Sequence, residues 1–322
     1  MLINLKLYAI ILNYIKIGEI MDSIISNFES FLFAEKRVSN NTLTSYMNDI
    51  YQFNDFLKSK DLDIKLISVK DLKSFLQFLK EKQNISARSM SRKISSLKVF
   101  FKFLNQQFSI ENLAIDLTFP KLEKKLPNYL SEEDIEKLLD YAQKDKTDLG
   151  IRNKIILYLL YVTGMRISEL VCLTISNIQF DTGFISVNGK GGKGRLVPIP
   201  QSLATEIKNY LNDVHSKLMG KKGNRSSEYL FPVLYSGKVK HITRQAFWII
   251  LKKMAFQAGI KATLSPHKLR HSLATHLLKK GANLRSLQLL LGHENLSTVQ
   301  IYTHVETGYL RKIYDKYHPR SK

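Results

Sequence analysis

Apolar residues recur at helical spacing along the first third of the chain. Over Asp22–Lys36 they place Ile25, Phe28, Phe31 and Leu32 on one face. Thr42–Ser59 repeats the pattern with Leu43, Tyr46, Ile50, Phe53 and Leu57. Ser68 followed by Asp71 has capping-box spacing and predicts a helix carrying Leu72, Phe75, Leu76 and Leu79 inward. Ser86–Gln106 predicts a fourth helix, with Met90, Ile94, Leu97, Phe101 and Leu104 buried. Residues 111–128 lose the period, contain Pro120, Pro127 and the run Lys121–Lys125, and read as an interdomain linker. Beyond it, helices are expected over Glu132–Tyr141, Arg152–Thr163, Ile167–Thr174, Leu203–Leu218, Thr243–Ala258, Lys268–Lys279, Leu284–Leu290 and Gly308–Lys316. Phe184–Asn188 and Arg195–Ile199 read as short strands around a glycine-rich turn. The expected architecture is mainly α, with four helices in a first domain over 21–110 and an α-rich second domain over 129–322 holding a small β-hairpin.

Residues 1–20 are rich in Leu and Ile, but Asn4, Lys6, Asn13 and Lys16 interrupt them and no small-residue cleavage site follows. They read as an extension outside the fold, from a start assigned too early, with a weak membrane-surface helix as the alternative. No other stretch is long and apolar enough to span a bilayer. Of the 322 residues 44% are hydrophobic, enough for packed cores rather than disorder. Lysine and arginine number 49 against 28 acids, a formal net charge of +21. Such an excess suits a polyanionic partner, because basic side chains displace the counterions condensed on phosphates. A merely lysine-rich composition would give the same number. The single cysteine, Cys172, excludes an internal disulfide, fits a reducing compartment, and is expected as a core thiol.

Four short stretches could carry chemistry. In Thr163–Leu170, Gly164 suits a sharp break and Arg166 opens a helix, a poor place for a cation unless an anion is near. A surface pair with Glu169 is the plain alternative. Gly189–Arg195 is a glycine-rich turn with Lys190, Lys193 and Arg195, and it does not match the nucleotide-binding P-loop. In Pro266–His271, His267 and Arg270 are three apart and share a helix face, a pairing that suits a phosphate. His267 and His271 have zinc-ligand spacing, but Lys268 and Arg270 between them would repel a dication. The fourth stretch holds His293 after Leu291-Gly292, and Tyr302. Arg88, Arg92 and Lys93 crowd the start of the fourth helix, against its dipole; a phosphate partner and solvated surface charge explain them equally.

Together these stretches are far more specific than singly. TGMRISEL, VNGKGGKGRLVPIP, LSPHKLRHSLATHLLKKGANLRSLQLLLGH and LSTVQIYTHV resemble the tyrosine recombinase (phage integrase) family, in family order, and its Xer branch in particular. Tyr317-His318-Pro319-Arg320 resembles the Xer C-terminus, and Thr243–Trp248 leans toward the XerD type. The resemblance covers about Met21 to the end. It implies a SAM-like core-binding domain followed by the recombinase catalytic domain. It implies Tyr302 as nucleophile, forming a 3′-phosphotyrosyl link, with Arg166, Lys190, His267, Arg270 and His293 around the scissile phosphate. Lys193 could reach the same phosphate as Lys190, and Arg88, Arg92, Lys93 and Arg244 are the expected DNA contacts. It implies neither metal nor cofactor, a double-stranded DNA partner with a dif-like site, and a cytoplasmic location. It further implies a tetramer on paired sites, with a second Xer recombinase or without one, a septal DNA translocase as further partner, and a C-terminal tail seated on a neighbouring subunit. An integrase of a phage or mobile element and a non-catalytic DNA-binding relative are the competing readings.

Overall fold

The computed structural model describes residues 20–121, 129–188, 194–219, 226–291 and 304–320. The extension over 1–19, Lys190, Lys193, His293 and Tyr302 lie outside the described residues. The chain forms two compact units, residues 1–125 and 126–322.

The first unit is helical. Helix α1 spans 20–30 and runs into a π turn at Phe31–Glu35. It is followed by α2 (Asn40–Ser59), α3 (Val69–Lys82) and α4 (Ala87–Phe108). Ser39 caps α2 and Ser86 caps α4, each accepting a backbone N–H of the first turn. At α3 the Asp71 carboxylate accepts the Ser68 N–H at 2.9 Å. The periodic positions pack as expected into an aromatic core: Phe28 meets Phe100 edge-on at 5.0 Å, and Phe53 meets Phe75 at 5.1 Å. The described part of the expected linker is packed as well. Ala114 and Leu117 are buried in this core, although their run is too short to show a period.

The second unit is built around α6 (Asp148–Thr163), which is buried along most of its length and apolar on nearly all sides. Around it lie α5 (Glu132–Lys144), α7 (Ile167–Val171), α8 (Gln201–Asp213), α9 (Arg244–Gln257), α10 (Pro266–Lys279), α11 (Leu284–Leu291) and α12 (His304–Tyr317). The expected hairpin is part of a three-stranded antiparallel sheet, β1 (Ile178–Gln179), β2 (Phe184–Asn188) and β3 (Gly194–Pro198), with Val187 opposite Arg195. A second hairpin, β4 (Pro232–Tyr235) and β5 (Lys238–His241), was not foreseen. Ser236 and Gly237 both take positive φ at its tip, as a tight two-residue turn requires.

Two expectations change. The helix over Ile167–Thr174 stops at Val171, because Thr174 begins a new capped turn in which its N–H donates to Asn177 Oδ1 at 2.9 Å. Cys172 therefore sits at the helix end and is exposed, not in the core. The final segment packs on its own unit: Leu310, Ile313, Tyr314 and His318 are buried, and Arg311 donates to the Ile199 carbonyl at 3.0 Å.

Candidate active site

Gly164 ends α6 in the left-handed region, at φ +58°, its N–H bonded to the Leu160 carbonyl at 3.0 Å. An added Cβ would stand 2.4 Å from Leu291 Cδ2 and 2.8 Å from Leu273 Cδ2, so any side chain here would displace both leucines on top of the strain of a positive φ. This tight break delivers Arg166 as the N-cap residue of α7.

Arg270 arrives from the other side. Ser265 caps α10, accepting the Lys268 N–H at 3.2 Å, and Pro266 occupies the first turn, where a missing N–H costs nothing. Further along, α10 is pinned by Leu130. The Leu130 N–H donates to Ser272 Oγ at 2.9 Å, and its carbonyl meets His276 Nε2 at 2.9 Å. The other ring nitrogen of His276 meets the Tyr161 hydroxyl at 3.0 Å. Arg270 itself is 8% exposed. Its guanidinium donates to the Gly164 carbonyl and, at 2.6 Å, to the Leu291 carbonyl, just before Gly292-His293 in sequence. Two backbone acceptors from separate elements thus fix its plane.

Glu169, three residues after Arg166 on α7, joins Arg166 to a third arginine, Arg195. It accepts the Arg166 N–H at 2.8 Å and the Arg166 side chain at 3.1 Å. It also takes both terminal nitrogens of Arg195, at 3.1 and 2.8 Å, in a fork geometry. Burial alone would raise the Glu169 carboxyl, but hydrogen bonds and charge from Arg195, then Arg166, override it and hold it below the usual carboxylate range. Arg270 is pushed down to about 10, first by burial and then by Arg166 and Arg195. It remains protonated at neutral pH. Three guanidiniums against one carboxylate leave a surplus of two positive charges among the described residues. An anion entering here would gain from charge that water solvates poorly.

The other expected residues are placed as follows. His267 is exposed in the first turn of α10, and His271 is exposed one turn on. Arg244 is exposed at the start of α9. In the first unit Arg88 is exposed, while Arg92 is partly exposed and bonded to Asp49 and the Ser45 carbonyl. Lys93 has a different role from the surface contact expected. It is 8% exposed, and its ammonium donates to Asp49 Oδ1 at 2.8 Å and to Gln52. Asp49 on α2 supplies the anion that these helix-start cations need, so neither phosphate nor solvent was the missing partner for Lys93. Glu169 and Arg195 were not singled out as site residues. The pairing three residues after Arg166 was the available signal for Glu169, and the inward alternation of β3 was the signal for Arg195.

Residues 128–308 match the phage integrase family, and residues 25–107 match the phage integrase N-terminal SAM-like domain. Tyrosine recombinase XerD of Oceanobacillus iheyensis is 40% identical over 300 residues, spanning 92% of this chain and 98% of that protein. Tyrosine recombinase XerC of the same organism is 41% identical over 299 residues, spanning 92% and 96%. Among solved structures, the XerH site-specific recombinase bound to palindromic difH substrate in a post-cleavage complex has the same fold. Its TM-score is 0.65 at 24% identity, over 90% of this chain and 84% of that one. No helix among the described residues is long and apolar enough to cross a membrane. The chain belongs to the phage integrase family: it is a XerD-like tyrosine recombinase, a site-specific enzyme that cleaves and rejoins DNA strands.

Proposed function

We propose that this recombinase resolves chromosome dimers at a dif-like site, with Tyr302 as the attacking residue and Arg166, Lys190, His267, Arg270 and His293 as its partners. Arg166 and Arg270 donate to the non-bridging oxygens of the scissile phosphate and stabilise the charge that gathers there during attack. The Tyr302 phenol, with an ordinary pKa of about 10, loses its proton as it bonds to phosphorus, and the surrounding cations ease that loss. The bond from phosphorus to the 5′ oxygen breaks. Lys190 protonates the leaving oxygen, His267 assists proton transfer, and His293 donates to the phosphate. A 5′-hydroxyl from another strand then attacks the 3′-phosphotyrosine and restores the phenol. The phosphotyrosine keeps the energy of the broken phosphodiester, so joining needs neither a nucleotide cofactor nor a metal.

Arg88 and Arg92 in the first unit and Lys193 and Arg244 in the second are the proposed DNA contacts. Strand exchange joins two duplexes, so the working assembly is a tetramer on paired sites. It is composed of this chain alone or with a second Xer recombinase, acts in the cytoplasm, and has a septal DNA translocase as further partner.

One observation carries this reading: Arg166 and Arg195 share a single carboxylate, Glu169, while Arg270, close enough to feel their charge, is held among the described residues by the Gly164 and Leu291 carbonyls alone, which leaves positive charge unmatched where α7 starts and α11 ends. A duplex nicked next to the attack point loses its short strand on cleavage and cannot be resealed. Wild-type protein is expected to accumulate as a covalent DNA adduct on such a duplex carrying the dif-like sequence of the source genome, and Tyr302→Phe is expected to form none. Absence of adduct with the wild type would support a non-catalytic DNA-binding role instead.

A further inference from the structure

Arg195 has no part in the chemistry above, yet it makes the tightest ion pair of the cluster. It is 7% exposed, against 44% for the Arg166 side chain. Its Nη1 and the Nη1 of Arg166 bond to the same oxygen, Glu169 Oε1, each at 3.1 Å. Arg195 alone also bonds Oε2 from its side chain, at 2.8 Å. The two arginines therefore compete for one carboxylate, and only the more exposed of them can turn toward an incoming phosphate. Without Arg195, Glu169 would be a buried anion whose only side-chain partner among the described residues is Arg166. It would hold Arg166 back and repel the phosphate. A buried carboxylate stripped of its partner is far costlier than an intact pair.

We propose that Arg195 is a positioning residue: by neutralising Glu169 it releases the Arg166 guanidinium to the scissile phosphate. This rests on the reading of Arg166 as a phosphate ligand. Arg195 stands on β3, opposite Val187, and Glu169 on α7, so the pair also ties the sheet to the helix that Arg166 opens.

The test compares single-turnover cleavage of the nicked duplex, and DNA affinity, for full-length wild type, Arg195→Met, Glu169→Gln, the double variant and Arg195→Lys. Arg195→Met is expected to slow cleavage about 100-fold, the scale of one lost charge-stabilising donor, with DNA affinity lowered only a few-fold. In the Glu169→Gln background the same change is expected to cost no more than about threefold, because no carboxylate is left to neutralise. Arg195→Lys should lie between, since an ammonium keeps the charge but not the fork. Equal cost in both backgrounds would overturn the proposal, since Arg195 would then act on the substrate or the fold directly. If Arg195→Met does not fold, Glu169→Gln against the double variant decides: similar rates support the proposal and a further large loss overturns it. Absence of cleavage by wild type overturns the parent reading, whereas cleavage by wild type with equal costs overturns this inference alone.

Discussion

Replacing Arg270 with glutamine separates function from stability. Burial and its cationic neighbours lower the Arg270 guanidinium from 12.5 to about 10. At about 1.4 kcal/mol per pH unit, that amounts to roughly 3 kcal/mol of unfavourable charge burial. The folded value lies below the unfolded one, so this cost is fully present below pH 10, including neutral pH, and disappears only above the unfolded value. Removing the charge returns about 3 kcal/mol. Against it stand the Gly164 and Leu291 carbonyls, which lose their donors. The glutamine amide can serve one of them, leaving about 1–3 kcal/mol for the other and about 1 kcal/mol of lost packing. The net change in folding stability is expected to stay within about 2 kcal/mol of wild type in urea unfolding. Cleavage of the nicked duplex should fall by about 10²–10³, as for loss of a pre-organised donor to a developing anion. Cleavage that stays within tenfold of wild type would refute the role of Arg270 as a phosphate donor. So would a stability drop of more than about 4 kcal/mol with a cleavage loss that merely tracks the lost folded fraction.

Gly164→Ala should lower stability by about 2–4 kcal/mol, combining a left-handed alanine with overpacking against Leu291 and Leu273. Urea titration measures it, and a variant as stable as wild type contradicts the turn geometry. Asp49→Ala strips Lys93 and Arg92 of their carboxylate and should cost about 3–5 kcal/mol, whereas Lys93→Met should cost less, since Asp49 keeps Arg92 and Ser96. An Asp49→Ala loss of less than about 1 kcal/mol would show that Lys93 needs no internal anion. His318 is 5% exposed and stacked on Tyr314 at 4.4 Å, and burial, with Lys280 nearby, lowers its imidazole from 6.5 to about 3. Its folded value is below the unfolded one, so its contribution is complete above pH 6.5 and is lost as pH falls toward 3. Wild type should lose about 2 kcal/mol between pH 6.5 and 5 from this group, and His318→Phe should not show that part of the loss. Parallel pH profiles for the two proteins would refute it.

Much of the helical framework was legible in the apolar period, because each helix buries one face and carries its own start signal. Ser68, Ser86 and Thr243 stand at helix starts for that reason, and β2 runs over Phe184–Asn188 as its alternation indicates. What escaped was non-local or too short to show a period. The β4–β5 hairpin is largely exposed and rich in lysine, so it has no apolar alternation, although Ser236-Gly237 was a turn signal. The buried state of Lys93 depends on Asp49, 44 residues away, and no local pattern reveals it. The same holds for Arg195, whose partner Glu169 lies 26 residues back on another element. Arg166 and Arg270 could be singled out by motif. That they are held by a carboxylate and two backbone carbonyls could be seen only in the fold.

The identity of the nucleophile is the central point of the chemistry. Wild-type adduct trapped on the nicked duplex, digested with protease and nuclease and sequenced by mass spectrometry, should carry its residual nucleotide on the phenol oxygen of Tyr302. A nucleotide on Tyr309, on a serine or on any other side chain would contradict the proposed chemistry.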